Sequence, residues 1–249
     1  MRQAPPDLFG VECSTQPASP LSLRSGGAIQ SIGHNGPEFA PGPLPPSVSL
    51  GLSGASELPV LVIASGNAHK VAEIGAMLDA VDLQVCPQPE GVEVEETGDT
   101  YLANARLKAE AVARLTGHWA LADDSGLEVD ALGGAPGLFS ARYAPTDHER
   151  IHRLLQELGP TPYRSASFNS AMALANPQGE VVLEAEGICR GEILQAPAGP
   201  GGGYDPIFWV REAGMTYGAM PDHLRHKLGS RGKAAKQLAP GLKRHLGLG

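Results

Sequence analysis

The chain has few cysteines and no long apolar run, and both absences exclude whole classes of protein. Its three cysteines, Cys13, Cys86 and Cys189, lie far apart in 249 residues, without a CxxC motif or a Cys/His pairing. This spacing argues against a disulfide scaffold and a structural zinc site, and it suits the reducing cytoplasm. No apolar stretch approaches the length of a membrane span. The sequence therefore predicts a cytoplasmic globular protein with no membrane partner.

Acidic residues are missing from the end of the chain. None follows Asp222, although the protein as a whole carries a formal net charge of −8. The same end holds a set of basic residues: Arg225, Lys227, Arg231, Lys233, Lys236, Lys243 and Arg244. Such a cluster is typical either of a local anion site or of a solvated helix whose cations complement the helix dipole. Because the rest of the chain is acidic and would repel a nucleic-acid backbone, no nucleic-acid partner is expected.

Residues 1–57 carry few charges and are rich in proline, glycine and serine. A segment of this composition buries too little apolar surface to offset the entropy lost on ordering, so we predict that it is disordered. It has no basic stretch followed by an apolar one and does not resemble a signal peptide. The folded domain is predicted to span residues 58–249.

Residues 58–249 alternate between strand-like and helix-like patterns. Apolar or alternating segments predict strands at 59–65, 83–86, 119–122, 165–175, 181–193 and 207–210. Capping residues and apolar periodicity predict helices after Asn67, at 101–116, from 146 to 158, and at 222–246 with interruptions at Gly229, Gly232 and Pro240. The turn signal at 176–179 joins the two longest strands into an antiparallel hairpin. Crossover and hairpin connections together indicate an α/β fold on a mixed sheet.

Two adjacent acids, Asp123 and Asp124, close the apolar run at 119–122 and precede Ser125-Gly126. Neighbouring carboxylates are costly to place together unless a positive group lies beside them. One interpretation is a divalent metal that handles phosphate, with the serine hydroxyl ready to contact that phosphate. The other is an Asx-type turn. A carboxylate from the acid-rich loop at 90–96 could join the metal site, although charge runs in loops are usually solvated surfaces.

A strand, a glycine turn and a helix start meet at Ser65-Gly66-Asn67-Ala68-His69-Lys70. Free N–H groups at a helix N-terminus form an anion site, and Lys70 opposes the helix dipole unless an anion is bound. The spacing is not that of a Walker A loop, and ordinary helix capping stays an alternative. On the next helix, Asn104 and Lys108 lie one turn apart. They form either an exposed polar stripe or a phosphate-facing lysine supported by an asparagine.

Five motifs, taken in order, resemble the inosine triphosphate pyrophosphatase family. They are SGNAHKVAEI at 65–74, EETGDTYLANARLKA at 95–109, ALADDSGLEVDALGGAPGLFSARYA at 120–144, GGYDPIF at 202–208 and SRGKA at 230–234. The resemblance implies an elongated mixed sheet with flanking helices in two lobes around a central cleft, assembled as a homodimer. It also implies Mg²⁺-assisted attack of water on the α-phosphate of dITP, ITP or XTP, which releases pyrophosphate and the monophosphate.

The same resemblance assigns roles to residues of this sequence. Glu96 and Asp124 would hold the metal, and Asp124 would also accept the proton of the attacking water. A larger set would bind the substrate: Ser65, Gly66, Asn67, Ala68, His69 and Lys70 around the triphosphate, Ser125 on the nucleotide, Gly202, Gly203, Tyr204 and Asp205 in the base pocket, Arg225 in place of a family lysine, and Ser230 and Arg231 on the base or sugar side.

Several positions depart from the family pattern. Gly202 stands where the family commonly has an aromatic residue that stacks on the purine, and Ser230 replaces a histidine. A family lysine is replaced by Arg225, or by Lys227 with a shift, and a glutamate is replaced by Ala103. The metal and phosphate half of the pattern is complete, while the base-recognition half is altered. A pyrophosphatase of different or broader base specificity, and a nucleotide-binding protein with weakened catalysis, therefore stay as alternatives.

Overall fold

The computed structural model describes residues 58–248, and the predicted disorder of residues 1–57 lies outside the described residues. The elements of this part are β1 (Val60–Ile63), α1 (Ala68–Met77), β2 (Gln84–Pro87), α2 (Tyr101–Thr116), β3 (Trp119–Val129), α3 (Asp147–Leu158), β4 (Ser165–Ala175), β5 (Val181–Ile193), β6 (Phe208–Val210), β7 (Met215–Thr216), α4 (Asp222–Leu228) and α5 (Ser230–His245). Short 3-10 helices span Asp130–Leu132, Gly137–Arg142 and Tyr217–Ala219. Among the helices of residues 58–248, none has the length and apolarity needed to cross a membrane.

The strands form one sheet in the order β2-β1-β3-β4-β5-β6-β7. β1 is parallel to both of its neighbours, and the other pairings are antiparallel. Parallel neighbours need crossover connections, which contain α1 and α2, whereas a short turn joins β4 to β5. The predicted mixed sheet and its long hairpin are therefore confirmed.

Side-chain caps place the helix starts where the sequence predicts them. Asn67 accepts hydrogen bonds from two backbone N–H groups of the first turn of α1, at 3.0 and 3.2 Å. Thr100 accepts one at the start of α2, at 3.0 Å, and Thr146 and Glu149 form the predicted capping box of α3. Gly117 ends α2 in the left-handed conformation, with a φ of 68°, which glycine adopts at little cost.

Helices cover both faces of the sheet around β1, so alternate residues of this strand are buried on opposite sides. On one face, α1 and α5 pack against large strand side chains, among them Leu61, Ile63, Leu121, Met172 and Leu174. On the other face, α2 packs closely because helix and strands contribute mainly alanines, including Ala105, Ala109, Ala113, Ala120, Ala122 and Ala173. A strand buried on both faces has a continuous apolar sequence, as β1 does.

The far ends of β3, β4 and β5 extend past β1 into a second apolar cluster. There α3, α4 and β6 contribute buried side chains to the same core. The rings of Phe168, Phe208 and Tyr217 pack together, with centroids 4.5 to 6.3 Å apart. The long strands thus connect two apolar clusters, and β1 ends near the boundary between them.

The predicted end of the third strand is wrong. The sequence places Asp123 and Asp124 at a junction between strand and loop after residue 122, but β3 continues to Val129. The reason is β4, which pairs with β3 from Ala120↔Ala175 to Val129↔Ala166. The two acids therefore lie in the middle of a long strand, and the Ser-Gly pair after them is not a turn.

The final helical region breaks at Gly229 as predicted, but two predicted interruptions are absent from the described residues. Gly232 and Pro240 both lie inside α5. A Cβ at Gly232 would overlap the backbone oxygen of His226. This glycine therefore permits close packing of α4 against α5 rather than ending the helix.

Gly187 lies where β5 passes under the start of α5. A Cβ at this position would overlap the backbone oxygen of Ser230 and lie 2.7 Å from the backbone nitrogen of Ala234. Gly187→Ala is therefore expected to push α5 away from the sheet and to lower the free energy of unfolding by about 1–3 kcal/mol. Urea unfolding followed by circular dichroism measures this change.

Gly75→Ala, inside α1, is the matched control for that prediction. The nearest atom to a Cβ at Gly75 lies 3.8 Å away, and alanine is the better helix former. We expect this variant to be as stable as the parent protein or more stable. Equal urea midpoints for the two variants would contradict the close approach of α5 to β5.

Candidate active site

The candidate site is a cleft that opens where β1 ends beside β3. The pairing of these two strands stops at Ile63↔Leu121, with a last hydrogen bond of 2.8 Å from Ala64 N to Leu121 O. Beyond this point, no strand of the described part pairs with this edge of β3. A cavity of about 270 Å³ lies there, lined by Ala64, Ser65, Gly66, Asn67, Lys70, Gln88, Val94, Glu96, Lys108 and Asp123.

Asp123 and Asp124 point to opposite faces of the sheet, because successive side chains of a strand alternate. Asp123 lies on the face covered by α1 and α5, where Lys70 and Arg231 contact it. Asp124 lies on the face covered by α2, where Lys108 contacts it. Their adjacency in the sequence suggests that the two carboxylates share one cation. In the fold they do not. Each has its own positive partner.

Asp123 is the centre of an ion-pair network on the α1 and α5 face. Its side chain is fully buried, and its Oδ2 lies 2.9 Å from Lys70 Nζ and 3.2 Å from Arg231 Nη2. Arg231 also pairs with Glu73 and donates a hydrogen bond of 3.1 Å to Ser125 Oγ. Burial raises the pKa of Asp123, but the two cations outweigh it and hold the pKa well below its usual range. Asp123 is therefore ionised and supports the cleft from one side.

Asp124, Glu96 and Lys108 form a second network on the α2 face. Lys108 Nζ lies 2.8 Å from Asp124 Oδ1, 3.1 Å from Glu96 Oε1 and 3.0 Å from the backbone oxygen of Asp123. Arg142 Nη1 contacts the other carboxylate oxygen of Glu96 at 2.8 Å. The Lys108 ammonium thus joins two carboxylates that are 28 residues apart in sequence, and it lines the cleft.

The interpretation of Asn104 and Lys108 as an exposed polar stripe is wrong. Asn104 is only 2% exposed, and Lys108 reaches into the cleft. In the described part of the chain, the Asn104 side chain makes no hydrogen bond to the Lys108 ammonium. Its side chain instead accepts a hydrogen bond from Gly98 N at 2.8 Å and donates one to Asp124 Oδ2 at 3.3 Å.

The two carboxylates of this network have different acidities. Burial raises the pKa of Asp124 above its usual value, and the charge of Glu96 adds to this rise, although Lys108 opposes it. Burial also raises the pKa of Glu96, but Arg142 and Lys108 outweigh that effect and lower it. Environments that push two carboxyl pKa values apart give them different roles. The surrounding protein groups therefore favour the anionic form of Glu96 more than that of Asp124.

The donor set fits a hard divalent cation. Glu96 and Asp124 each direct one oxygen at the same positive group, the Lys108 ammonium, so their oxygens already converge on a cation. Within residues 58–248, no three His, Cys, Asp or Glu side chains gather into a metal-binding group. The protein therefore offers two carboxylates rather than a complete cage. Mg²⁺ is commonly held in this way, with water and substrate phosphate oxygens as its remaining ligands.

The loop between β1 and α1 forms another wall of the cleft. Four of the six residues predicted to wrap the triphosphate line the cavity: Ser65, Gly66, Asn67 and Lys70. Ala68 and His69 are exposed at the start of α1 and do not line it. Although Lys70 opposes the helix dipole, the Asp123 carboxylate compensates its charge. The structure thus brings most of this motif next to the carboxylates.

The predicted base-pocket residues occupy the loop between β5 and β6: Gly202, Gly203, Tyr204 and Asp205. Hydrogen bonds to other parts of the protein hold this loop in place. Gly203 N donates to Asp147 Oδ2 at 2.7 Å, and the hydroxyl of the buried Tyr204 donates to the Ser140 backbone oxygen at 3.1 Å. Tyr204 therefore contributes to the loop's anchoring, and the role of these residues in binding a base stays a prediction.

Asp205 connects this loop electrostatically to the first network. Burial raises the pKa of its carboxyl to about 6, while the charges of Arg225 and Arg231 act in the opposite direction. Arg231, which pairs with Asp123, is thus close enough to influence the charge of Asp205. The two parts of the predicted site thus influence each other electrostatically, although more than 70 residues separate them in the sequence.

Arg225 and Ser230 contact the protein rather than the cavity. The guanidinium of Arg225 donates to the backbone oxygens of Gly218 and Met220, both at 3.0 Å. Ser230 is 4% exposed, and its hydroxyl lies 2.8 Å from Ser170 Oγ. The structure does not bring these two residues together with the carboxylates, and their contacts to substrate stay predictions.

Glu73, Arg142 and Asp147 contact predicted site residues, although the sequence analysis assigns them no role. Glu73 and Arg142 lie inside two of the quoted motifs, at 65–74 and 120–144, whereas Asp147 lies outside them. Glu73 lies three residues after Lys70, so helical spacing places both on one face of α1 and is a signal that identifies it. Arg142 reaches Glu96 across 46 residues, and Asp147 reaches the glycine-rich loop across 56. Local spacing carries no signal for contacts of such separation.

Known proteins are similar to this chain in sequence and in fold. A sequence model of the Ham1 family matches residues 61–241. A dITP/XTP pyrophosphatase of Synechococcus sp. is 54% identical over 188 residues, which cover 75% of this chain and 91% of that protein. Another, of Nostoc sp., is 53% identical over 182 residues, which cover 73% and 93%. The solved structure of a HAM1 protein from Coxiella burnetii matches with a TM-score of 0.68 at 40% identity, covering 75% of this chain and all of that one.

Proposed function

This chain belongs to the Ham1 family, and we propose that it hydrolyses nonstandard purine nucleoside triphosphates, such as dITP, ITP and XTP, to the monophosphate and pyrophosphate. One observation carries the proposal. Glu96 and the ammonium groups of Lys70 and Lys108 line one cleft, and Lys108 also contacts the Asp124 carboxylate at 2.8 Å. This pairing of metal ligands with cations is what a polyphosphate substrate requires. The relatives named dITP/XTP pyrophosphatase support the substrate class.

Glu96 and Asp124 would hold a Mg²⁺ ion in the cleft. When bound, the ion would offset the charge of the phosphate oxygens and help to align the triphosphate. Lys108 and Lys70 approach the cleft from α2 and α1 on its two sides. Their ammonium groups add positive charge where negative charge develops on the triphosphate during the reaction.

Asp124 would accept the proton of the water that attacks the α-phosphorus. The bond from that phosphorus to the bridging oxygen breaks, and pyrophosphate leaves with the bonding electrons. The raised pKa of Asp124 makes it a better base than Glu96, whose pKa is lowered. Lys70 lies in the first turn of α1, which follows the loop predicted to wrap the triphosphate. Its ammonium group would neutralise charge on the leaving pyrophosphate.

A second candidate is a pyrophosphatase of different or broader base specificity. Gly202 presents no ring for stacking on a purine, a contact that contributes about 1–3 kcal/mol per base in nucleic-acid systems. Arg225 and Ser230, which replace two family residues, contact backbone and strand groups of the protein itself. These three positions favour a base pocket that differs from the family pattern.

Product analysis tests the proposed reaction. With ITP, dITP or XTP and Mg²⁺, we expect pyrophosphate and the monophosphate as first products. We also expect EDTA to stop turnover, because without Mg²⁺ the negative charges of the two carboxylates and the triphosphate would repel each other. Orthophosphate as the first product would contradict the proposal. Tight nucleotide binding without hydrolysis would favour the alternative of a binding protein with weakened catalysis.

The same assay separates the two specificities. Comparing kcat/KM for ITP, XTP and dGTP with that for dUTP and methylated pyrimidine triphosphates shows which bases the pocket accepts. A preference for the nonstandard purines supports the first candidate. Comparable values for purines and pyrimidines support the second.

We further propose that the protein acts as a homodimer in the cytoplasm on the free nucleotide pool. The scarcity of cysteine supports this compartment, and the motif resemblance supports the dimer. Sedimentation equilibrium of the full chain measures the oligomeric state.

A further inference from the structure

We propose that Asn104 is a positioning residue that fixes the distance between Glu96 and Asp124. Its side chain is almost completely buried at 2% exposure and lies on α2 between the two segments that carry these carboxylates. The amide oxygen accepts a hydrogen bond from Gly98 N at 2.8 Å, and the amide nitrogen donates one to Asp124 Oδ2 at 3.3 Å. One short side chain thus connects the loop of Glu96 to β3. The inference rests on the proposed function, in which these carboxylates receive one cation.

The chemistry of its two partners determines the orientation of the Asn104 amide. Gly98 N is a donor and Asp124 Oδ2 is an acceptor, so the amide must present its oxygen to the first and its nitrogen to the second. The flipped amide would set two N–H groups against each other and an oxygen against a carboxylate. No other uncharged side chain of similar size offers an acceptor and a donor in this geometry. The contact therefore selects asparagine.

The Gly98 end of this connection is tightly packed. A Cβ at Gly98 would lie 2.7 Å from both Ala103 Cβ and Asn104 Oδ1, so the backbone of the loop lies directly on the first turn of α2. Glu96 is two residues before Gly98 in the same loop. A constraint on Gly98 N therefore also limits where the Glu96 carboxylate can be.

The Asp124 end leaves one carboxylate oxygen for the cleft. Asn104 occupies Oδ2, while Oδ1 lies 2.8 Å from Lys108 Nζ, which is also 3.1 Å from Glu96 Oε1. Asn104 thus orients Asp124 so that Oδ1 is the oxygen that shares the Lys108 ammonium with Glu96. Residues that orient metal ligands in this way typically change metal affinity or activity by 10–100-fold when they are replaced.

Manganese binding to the intact protein tests the inference without depending on turnover. Electron paramagnetic resonance would measure Mn²⁺ affinity in the presence of a nonhydrolysable α,β-methylene analogue of ITP. For Asn104→Ala we expect the Mn²⁺ dissociation constant to rise about 10–100-fold, with a parallel rise in the Mg²⁺ concentration for half-maximal activity. Binding of the analogue without metal should change less than about threefold, because Asn104 does not line the cleft.

Asn176→Ala is the matched control. Asn176 also accepts from backbone N–H groups and donates to a carboxylate, that of Glu180, but it does so in the β4–β5 turn. We expect it to leave Mn²⁺ affinity unchanged. If Asn104→Ala does not fold, Asn104→Ser, which leaves room for water at Gly98 N, is expected to weaken Mn²⁺ binding to the same degree.

Glu96→Gln provides a second measurement. If Asn104 acts by placing Glu96, the effects of Asn104→Ala and Glu96→Gln on Mn²⁺ affinity will not add in the double variant. A folded Asn104 variant with Mn²⁺ affinity within twofold of the parent, or fully additive effects, would overturn the inference. Failure of the parent protein itself to bind Mn²⁺ with the analogue would count against the proposed function instead.

Discussion

Replacing Asp124 with asparagine is expected to lower kcat by about 10³-fold while nucleotide binding stays within a few-fold of the parent. The size of the loss follows from the contribution of a positioned general base, roughly 10²–10⁴-fold. Asparagine has nearly the same shape as aspartate but cannot accept the proton of the attacking water. It also removes one of the two anionic oxygens that converge on the Lys108 ammonium. Single-turnover hydrolysis of ITP and equilibrium binding of an α,β-methylene analogue measure the two effects separately.

Asp130→Asn is the control for this prediction. Asp130 follows the end of β3, and its carboxylate accepts a hydrogen bond of 2.7 Å from Ser165 Oγ at an exposed site. The same chemical change there should leave turnover unaltered. Near-normal kcat in Asp124→Asn would refute the role of this residue as the base. A loss confined to nucleotide affinity would mean that Asp124 acts only through the bound metal.

Local sequence signals predict the helices well because the determining contacts are local. Asn67, Thr100 and Thr146 cap helices within three residues of themselves, and Gly117 ends α2 through its own backbone conformation. A short window of sequence therefore contains both partners of each of these contacts. The same signals fail at Pro240 inside α5, where burial of Leu238 and Leu242 against the sheet outweighs the low helix propensity of proline.

The site is predictable in composition but not in arrangement. The motif around Asp123 and Asp124 draws attention to these acids, but it does not show that they lie on opposite faces. That fact depends on the length of β3, which is set by pairing with β4, a strand more than 40 residues later. The ion-pair partner of Asp123 is also distant in sequence, since Arg231 follows it by 108 residues. The adjacency of the two acids suggests one cation beside both, and the family resemblance assigns the metal to Asp124 and Glu96 rather than to Asp123. The fold provides each of the adjacent carboxylates with its own positive partner.

Asp123→Asn is expected to reduce the free energy of unfolding by about 3–5 kcal/mol, the cost of breaking a buried ion pair by removing one partner. The Asp123 side chain is fully buried between Lys70 and Arg231, whose own side chains are 22% and 16% exposed. Asparagine keeps the shape but leaves two cations without their shared anion. Urea unfolding at neutral pH measures the loss. Glu184→Gln is the control, since it weakens an ion pair with Arg106 at the surface and is expected to leave the urea midpoint nearly unchanged.

The difference in free energy of unfolding between the parent protein and Asp123→Asn should decrease as the pH is lowered. Because the pKa of Asp123 is lower in the folded protein than in the unfolded chain, its ionised form stabilises the fold fully above the unfolded value of about 3.9. As the pH falls below that value, the unfolded chain takes up the proton first, and the stabilisation decreases until the folded carboxyl is protonated as well. The difference should therefore be constant from neutral pH down to about pH 5 and then narrow. A difference that widens on acidification would show that Asp123 is buried in its neutral form, and the ion-pair network would then not hold the cleft together.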